Sequence, residues 1–482
     1  MSESKMSIKR ATLINSAAKY YNVVCSFAVN IILSRILSPA EYGVVAIVTV
    51  FITFFSLFSD LGFGVAYIQN NELDNNDKNN LFTFLIYVGI LLFLLFYVFA
   101  YGIAWFYGDN LYIKVSQLLG VNLFLTAVNV IPYSDLLKQQ RFMTAGIVQA
   151  IGSTIAAVCA VVLAKHGLSY YSIVFQSLTN TFIQCITFIF ITRTRFLVKV
   201  NVKSIKKVLG FSLGQIGFNT INYFSRNLDN LLIGKVFGSA SLGYYDKAYK
   251  TSTYPVSNFS SIIGSSIQPV LSKHQDDREL VYDKFKKTFL FLVVIGAYLS
   301  VALNLASREV ILVLYGNQWE KSVVAFSFLA LSLFAQMSLN ITGAFYQVLN
   351  NTRLLAFAGG ASAVLIVSGI SAGLIIGTIE AVSIGYLIAQ CVNFVVILWI
   401  MSKYLFRKPV AYISKELLKI LFVSILLFFV CRSVFNILTF ENLVLSLVFK
   451  ILVVTIVDYA LLYVTRLEKY VLSIILPKYN RK

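Results

Sequence analysis

Five polar side chains, Gln215, Asn219, Asn222, Arg226 and Asp229, follow one another at spacings of 4, 3, 4 and 3, which lines them up on one face of a helix. A second stripe, Asn15, Lys19, Asn22 and Ser26, lies 200 residues earlier and superposes on the first residue for residue. The chemistry on offer is binding. Amides and hydroxyls hold hydroxylated ligands, and the cations of Arg226 and Lys19 hold anions. Plainer roles compete with this one. Arg226 and Asp229 stand three residues apart and can neutralise each other, Lys19 can snorkel to an interface, and Asp60 can be the counter-ion of a neighbouring base. Covalent and metal chemistry have little to build from. His166 and His274 lie in polar loops without a second ligand at metal spacing, and no GxSxG, Walker or GxGxxG pattern occurs. Cys25, Cys159, Cys185, Cys391 and Cys431 sit singly in apolar runs, which suits buried thiols rather than a disulfide framework. No metal, no cofactor and no catalytic residue is expected.

The elements that carry these stripes are long and apolar. The chain has 482 residues, 58% hydrophobic and 13% charged, with a mean hydropathy of +0.78. Soluble domains carry about 25% charged residues, so a soluble multidomain enzyme is excluded. Apolar runs of about 20 residues mark membrane spans. Fourteen are expected, near 13–37, 44–68, 81–106, 116–136, 145–164, 170–192, 208–234, 248–270, 288–306, 322–349, 354–376, 380–401, 416–438 and 443–465. The seventh and eighth are the least apolar. The basic start MSESKMSIKR leads into an apolar run interrupted by Asn15, Lys19 and Asn22, so residues 11–37 read as a retained span, not a cleaved signal.

An even number of spans puts both termini on one side. That side holds 27 of the 40 Lys and Arg residues, and the other holds nine. The positive-inside rule makes the richer side cytoplasmic. The net charge of +19 therefore describes topology, and no nucleic-acid partner is expected. A basic side chain at the bilayer centre costs about 2.5–3.5 kcal/mol, so the striped faces must meet protein or a wet cavity.

The chain also repeats itself. Residues 30–43 match 230–243, with Asn30/Asn230, Arg35/Lys235, Ala40/Ala240 and Gly43/Gly243 in register. Tyr107-Gly108-Asp109-Asn110 matches Tyr315-Gly316-Asn317-Gln318 at an offset of 208, and Leu137 and Arg141 match Leu349 and Arg353 at 212. Asp60 stands opposite Ser260, and Gly64 opposite Gly264. A unit of six spans inserts twice in the same orientation, as parallel transporter repeats do. The expected fold is an all-α polytopic membrane protein with 14 transmembrane helices, two pseudo-symmetric six-helix bundles (1–200 and 201–402) and two further C-terminal helices with a cytoplasmic tail (403–482). Tyr244, Tyr245 and Tyr249, beside Lys247 and Lys250, read as an interfacial aromatic belt, with a sugar-stacking surface as the alternative.

Ser59-Asp60-Leu61-Gly62, the run Asn222 to Lys235, Gly243-Tyr244-Tyr245-Asp246-Lys247-Ala248-Tyr249, Pro255, Gln275-Asp276-Asp277 and Tyr315-Gly316-Asn317-Gln318-Trp319 resemble the Wzx-like polysaccharide-transport flippases, of the colanic-acid and teichuronic-acid exporter type. The resemblance covers about the first 350 residues. It implies the multidrug/oligosaccharidyl-lipid/polysaccharide flippase superfamily, a multi-pass place in the bacterial cytoplasmic (inner) membrane, and movement of a lipid-linked oligosaccharide for capsule, exopolysaccharide or lipopolysaccharide synthesis. On that reading Arg226 and Lys19 bind the diphosphate of a polyprenyl carrier. Asn219, Asn222, Asn15, Asn22, Ser26 and Gln215 line the cavity for the sugars. Asp60 and Asp229 tune its charge or carry a coupling ion, H+ or Na+. Membrane lipids and a polysaccharide polymerase are the other implied partners. The alternatives are a drug or cation antiporter of the same superfamily, which wants a carboxylate-rich cavity, and a peptidoglycan lipid-precursor flippase.

Overall fold

The computed structural model describes residues 8–475 except 61, 71, 199 and 439, with side chains described outside 8–19, 202–203, 206–226, 228, 261–262, 265–266, 269 and 473–475. Among the described residues the chain is helical throughout, with no strand. Apolar solvent dictates that outcome, because a spanning segment must satisfy its backbone polar groups internally. Two compact units form, one ending at Gly243 and one beginning at Tyr244.

The first unit contains α1 (Ile8–Ile36), α2 (Pro39–Asp60), α3 (Phe63–Gln69), α4 (Asn75–Tyr107), α5 (Leu111–Lys138), α6 (Phe142–Lys165), α7 (Tyr171–Thr192) and most of α8 (Val202–Pro255). The breaks follow the sequence. Proline opens α2, where its missing N–H costs nothing. A capping box at Asp74 and Asp77 opens α4. Between α2 and α3 the chain turns at Gly62, whose φ of 72° is a left-handed conformation that a side chain would strain. Gly62 thus interrupts the helix inside the span Pro39–Gln69. Gly238, with φ 82° and ψ 175°, leaves the helical region altogether and marks a kink in α8.

A buried cluster of Phe63, Tyr67, Leu81, Leu85, Ile131 and Ile205 holds α3, α4, α5 and the start of α8 together. The linker ahead of α8 is strapped to the first turns of α4. Arg195 N–H donates to Asn79 Oδ1, Leu197 N–H to Thr83 Oγ1 and Asn201 N–H to Asn80 Oδ1, each at 2.9 Å, while Ser204 Oγ donates to Asp77 Oδ1 at 2.5 Å. These side chains satisfy linker backbone groups that have no ladder of their own.

The second unit continues α8 through a π-helical turn into α9 (Ser261–Leu271), followed by α10 (Arg278–Leu305), α11 (Ser307–Tyr315), α12 (Ser322–Leu331), α13 (Leu333–Leu339), α14 (Thr342–Val348), α15 (Thr352–Ile376), α16 (Ile379–Ile400), α17 (Ala411–Ile437), α18 (Leu443–Thr465) and α19 (Glu468–Ile475). Its core is aromatic: Phe285 stacks on Phe406 at 4.9 Å and Phe289 on Phe394 at 5.6 Å, with α17 supplying Ile413, Ile420 and Val423. Lys408, just past the π-helical turn 401–406, donates to Glu279 at 2.5 Å, and that carboxylate holds its ammonium above the ordinary lysine range.

Helices lie at the fourteen expected positions, but their character differs. Among the described residues ten are long and apolar enough to cross a membrane, or eleven if α12 and the α13–α14 stretch, bent by 50° from it at Ser332, count as one span. Helix α1 contributes a shorter apolar piece, Tyr20–Ile36. Two of the loops paired by residue type also share one geometry. Gln140 and Asn350 both adopt positive φ, and in each loop the next N–H reaches back five residues, Arg141 to Leu136 and Asn351 to Tyr346. That aligns the loops at 210 rather than the 212 of the residue match.

Candidate functional site

Of the ten residues expected to line the cavity or tune its charge, four have described side chains. Asn15, Lys19, Gln215, Asn219, Asn222 and Arg226 lie outside them. Asn22 accepts a 2.7 Å hydrogen bond from Ser153 of α6, and one residue earlier Tyr21 and Thr154 share another at 2.7 Å. At this level the α1 stripe therefore meets α6, and Asn22 serves the packing of two helices. Ser26 is exposed. Asp229 is 3% exposed, and its Oδ1 accepts from the N–H of Asn230 at 2.8 Å. Asp60 Oδ1 accepts from Gly64 N–H at 3.1 Å. The carboxylate of the motif thus caps the short helix after the Gly62 break, a local role that needs no basic partner.

The matched stretches 30–43 and 230–243 meet at their glycines. A Cβ on Gly43 would lie 1.7 Å from the Ser239 carbonyl oxygen, and one on Gly243 would lie 1.9 Å from that of Pro39. Pro39 and Ser239 are themselves equivalent under the offset of 200. The start of α2 and the kinked stretch of α8 therefore cross backbone to backbone, each on its own counterpart. Only a missing side chain allows such an approach. Close by, Tyr107 OH donates to the Leu231 carbonyl at 3.2 Å, and Lys235 donates to the Phe106 carbonyl with its ammonium 4.8 Å from the Phe106 ring centroid.

At the other end of the first unit lies a polar network that spacing did not reveal. Lys78 and Asp135 are both buried and pair at 3.1 Å. Asp135 also accepts from Tyr67 OH and Gln139 Nε2, each at 2.9 Å, while Lys78 also donates to the Thr192 carbonyl at 3.1 Å. Four helices are tied at one point. The available sign was an aspartate closing an otherwise apolar span.

The second unit corrects the reading of the tyrosines. Tyr245 is fully buried and Lys247 is 3% exposed, so this stretch is core rather than a belt. The Lys247 ammonium lies 4.7 Å from the Tyr315 centroid and 4.9 Å from that of Trp319, where ring faces attract a desolvated cation. Asp246 pairs with Lys250 at 2.7 Å, and Tyr315 shares a 2.9 Å hydrogen bond with Thr251. The Gly-Tyr-Tyr-Asp-Lys and Tyr-Gly-Asn-Gln-Trp motifs are therefore two halves of one contact. Lys450, inside the last expected span, is paired: it donates to Glu309 Oε1 at 2.6 Å and to the Leu305 carbonyl at 3.1 Å, fastening α18 to α11. Among the described residues no group of His, Cys, Asp and Glu could hold a metal ion.

A family model described as "Polysaccharide biosynthesis protein" matches residues 32–324, more than half of the chain. The chain is 24% identical over 407 residues to the teichuronic acid biosynthesis protein TuaB of Bacillus subtilis (strain 168), covering 80% of this chain and 79% of that one. It is 23% identical over 411 residues to an uncharacterized membrane protein in the cps region of Klebsiella pneumoniae, covering 84% and 83%. Among solved structures it resembles the lipid II flippase MurJ in an inward closed conformation, with a TM-score of 0.73 and 14% identity, over 94% of this chain and 98% of that one. That likeness is one of fold.

Proposed function

This chain belongs to the polysaccharide biosynthesis protein family, and from that premise we propose that it is a flippase. It translocates a polyprenyl-diphosphate-linked oligosaccharide, a repeat unit of capsule, exopolysaccharide or lipopolysaccharide, by alternating access. The family match across residues 32–324 carries the reading, because that stretch holds the glycine-broken span at Asp60, the striped first half of α8 and the Lys247 cage. The name of the Bacillus relative supports a polysaccharide product. The chain acts as a transporter rather than an enzyme.

The physical chemistry agrees. A diphosphate needs cations in a wet cavity, and Arg226 offers a planar fork that meets two phosphate oxygens at once. Lys19 supplies a second positive charge from the matching stripe. Asn219, Asn222, Asn15, Ser26 and Gln215 offer amides and a hydroxyl to the sugars, with Asn22 shared between the stripe and α6. Asp229 sets the local charge, and the coupling ion is H+ or Na+. The protein sits in the bacterial inner membrane with fourteen spans, its two repeats being 1–200 and 201–402, and hands its product to a polysaccharide polymerase.

Arg226→Ala and Lys19→Ala are expected to lower export of the lipid-linked oligosaccharide by about tenfold or more each, the loss of a charge-assisted contact. The measurement is surface polysaccharide in a flippase-deficient host at matched membrane levels. Normal export by both variants would end the diphosphate-cavity idea. A reporter fused after Lys482 is expected to be active only as a cytoplasmic fusion, and extracytoplasmic activity would break the count of fourteen.

A further inference from the structure

An apolar groove in the first unit lies between α2, α4 and α8 and encloses about 450 Å³. Its walls include Phe51, Phe99, Gly102, Phe106, Leu231 and Leu232. It opens beside Trp105, whose ring is 85% exposed. Its shape has local causes. Phe51 meets Phe99 edge-on at 5.6 Å, Gly102 leaves the middle empty, and the Tyr107 hydrogen bond to Leu231 holds α4 against α8. At its end stands Lys235, three and four residues beyond Leu232 and Leu231 and so on the same helix face. One of its ammonium donors goes to the Phe106 carbonyl, and two remain for a ligand. Among the described residues no carboxylate pairs with it.

We propose that this groove seats the first isoprene units of the polyprenyl carrier, with Lys235 on its diphosphate. The inference rests on the flippase reading and adds a site for the lipid tail distinct from the striped face of α8. Spacing selects the lipid. From Lys235 to the apolar wall is one helical turn, about 5.4 Å. A polyprenyl diphosphate joins its phosphate directly to the first isoprene carbon, so charge and apolar chain begin within that reach. A glycerophospholipid places a glycerol unit and its ester carbonyls between phosphate and chain, and those carbonyls would meet walls on which the only side-chain donor is the indole N–H of Trp105 at the exposed mouth. The charge distribution puts this end of α4 on the extracytoplasmic side, where the flipped carrier arrives.

The test measures binding of undecaprenyl diphosphate, of undecaprenol and of phosphatidylglycerol to the purified full-length chain by native mass spectrometry. Gly102→Phe fills the groove, and the only atom near its Cβ is Phe99 Cδ2 at 3.9 Å, so the helix keeps its place. Gly102→Phe is expected to weaken undecaprenyl diphosphate and undecaprenol about tenfold and leave phosphatidylglycerol unchanged, whereas Lys235→Gln weakens only the diphosphate by about tenfold. Equal binding by wild type and Gly102→Phe, or phosphatidylglycerol losing as much as the polyprenyl lipids, would overturn the proposal. Transport of lipid-linked oligosaccharide by reconstituted wild-type chain is read separately. Its failure with the binding pattern intact removes the flippase reading, and its success with binding unaltered by either variant removes the groove.

Discussion

Leucine in place of Gly43 is expected to abolish export and to destabilise the purified protein by about 3 kcal/mol, the upper end of the cost of overpacking. The Cβ that any such residue adds would lie 1.7 Å from a backbone oxygen, whereas ordinary van der Waals contact begins at 3.4 Å, so the helices must part by about 1.7 Å. A flexible side chain could swing aside from such a clash, but the Ser239 carbonyl is held by its own helix. Gly243→Leu should behave alike, because its Cβ would meet the Pro39 carbonyl at 1.9 Å. Gly359→Ala is the control. Nothing lies within 4 Å of its Cβ, and alanine favours the helix. Thermal unfolding in detergent and surface polysaccharide at matched membrane levels give the two readouts. Wild-type stability and export for Gly43→Leu would show that the crossing tolerates a side chain.

The second large effect comes from stranding a buried charge. Asp135→Leu leaves the Lys78 ammonium with the Thr192 carbonyl and no counter-ion, at an expected cost of about 3–5 kcal/mol. Removing both charges together, as Lys78→Met with Asp135→Leu, should recover most of that loss, since an apolar pair of similar volume replaces a buried ion pair at little cost. Recovery stays incomplete because Tyr67 OH and Gln139 lose their acceptor. The unfolding temperatures of wild type, both single variants and the double variant decide the matter. A double variant no more stable than Asp135→Leu would mean that the network, and not the uncompensated lysine, sets the cost.

Much of the fold is legible in one dimension. The hydropathy runs place the helices, and the polar breaks between them place the loops. Family motifs were visible before their roles were. Asp60 and Gly62 turn out to cap α3 and to break the helix ahead of it. Tyr245 and Lys247, which read as an interfacial belt, are core. A belt and a buried aromatic cage share one composition, and the difference is whether Tyr315 and Trp319, some 70 residues on, lie beside Lys247 or elsewhere. The stripe on α1 shows the same limit. Its spacing says nothing of Ser153, which Asn22 meets.

By itself, then, the sequence determined that this chain lives in a membrane, where its helices run, and which family it resembles. Periodicity and hydropathy suffice for that, because lipid imposes one solvent on every span and leaves the helix as the answer. The tertiary structure alone decided which side chains meet. Lys78 finds Asp135 across 57 residues, Lys450 finds Glu309 across 141, and Gly43 meets the carbonyl of Ser239. Inside a bilayer a helix has little hydrophobic preference for protein over lipid. Its partners are therefore chosen by close backbone approach and by the pairing of buried polar groups, and both are properties of surfaces brought together rather than of residues in a row.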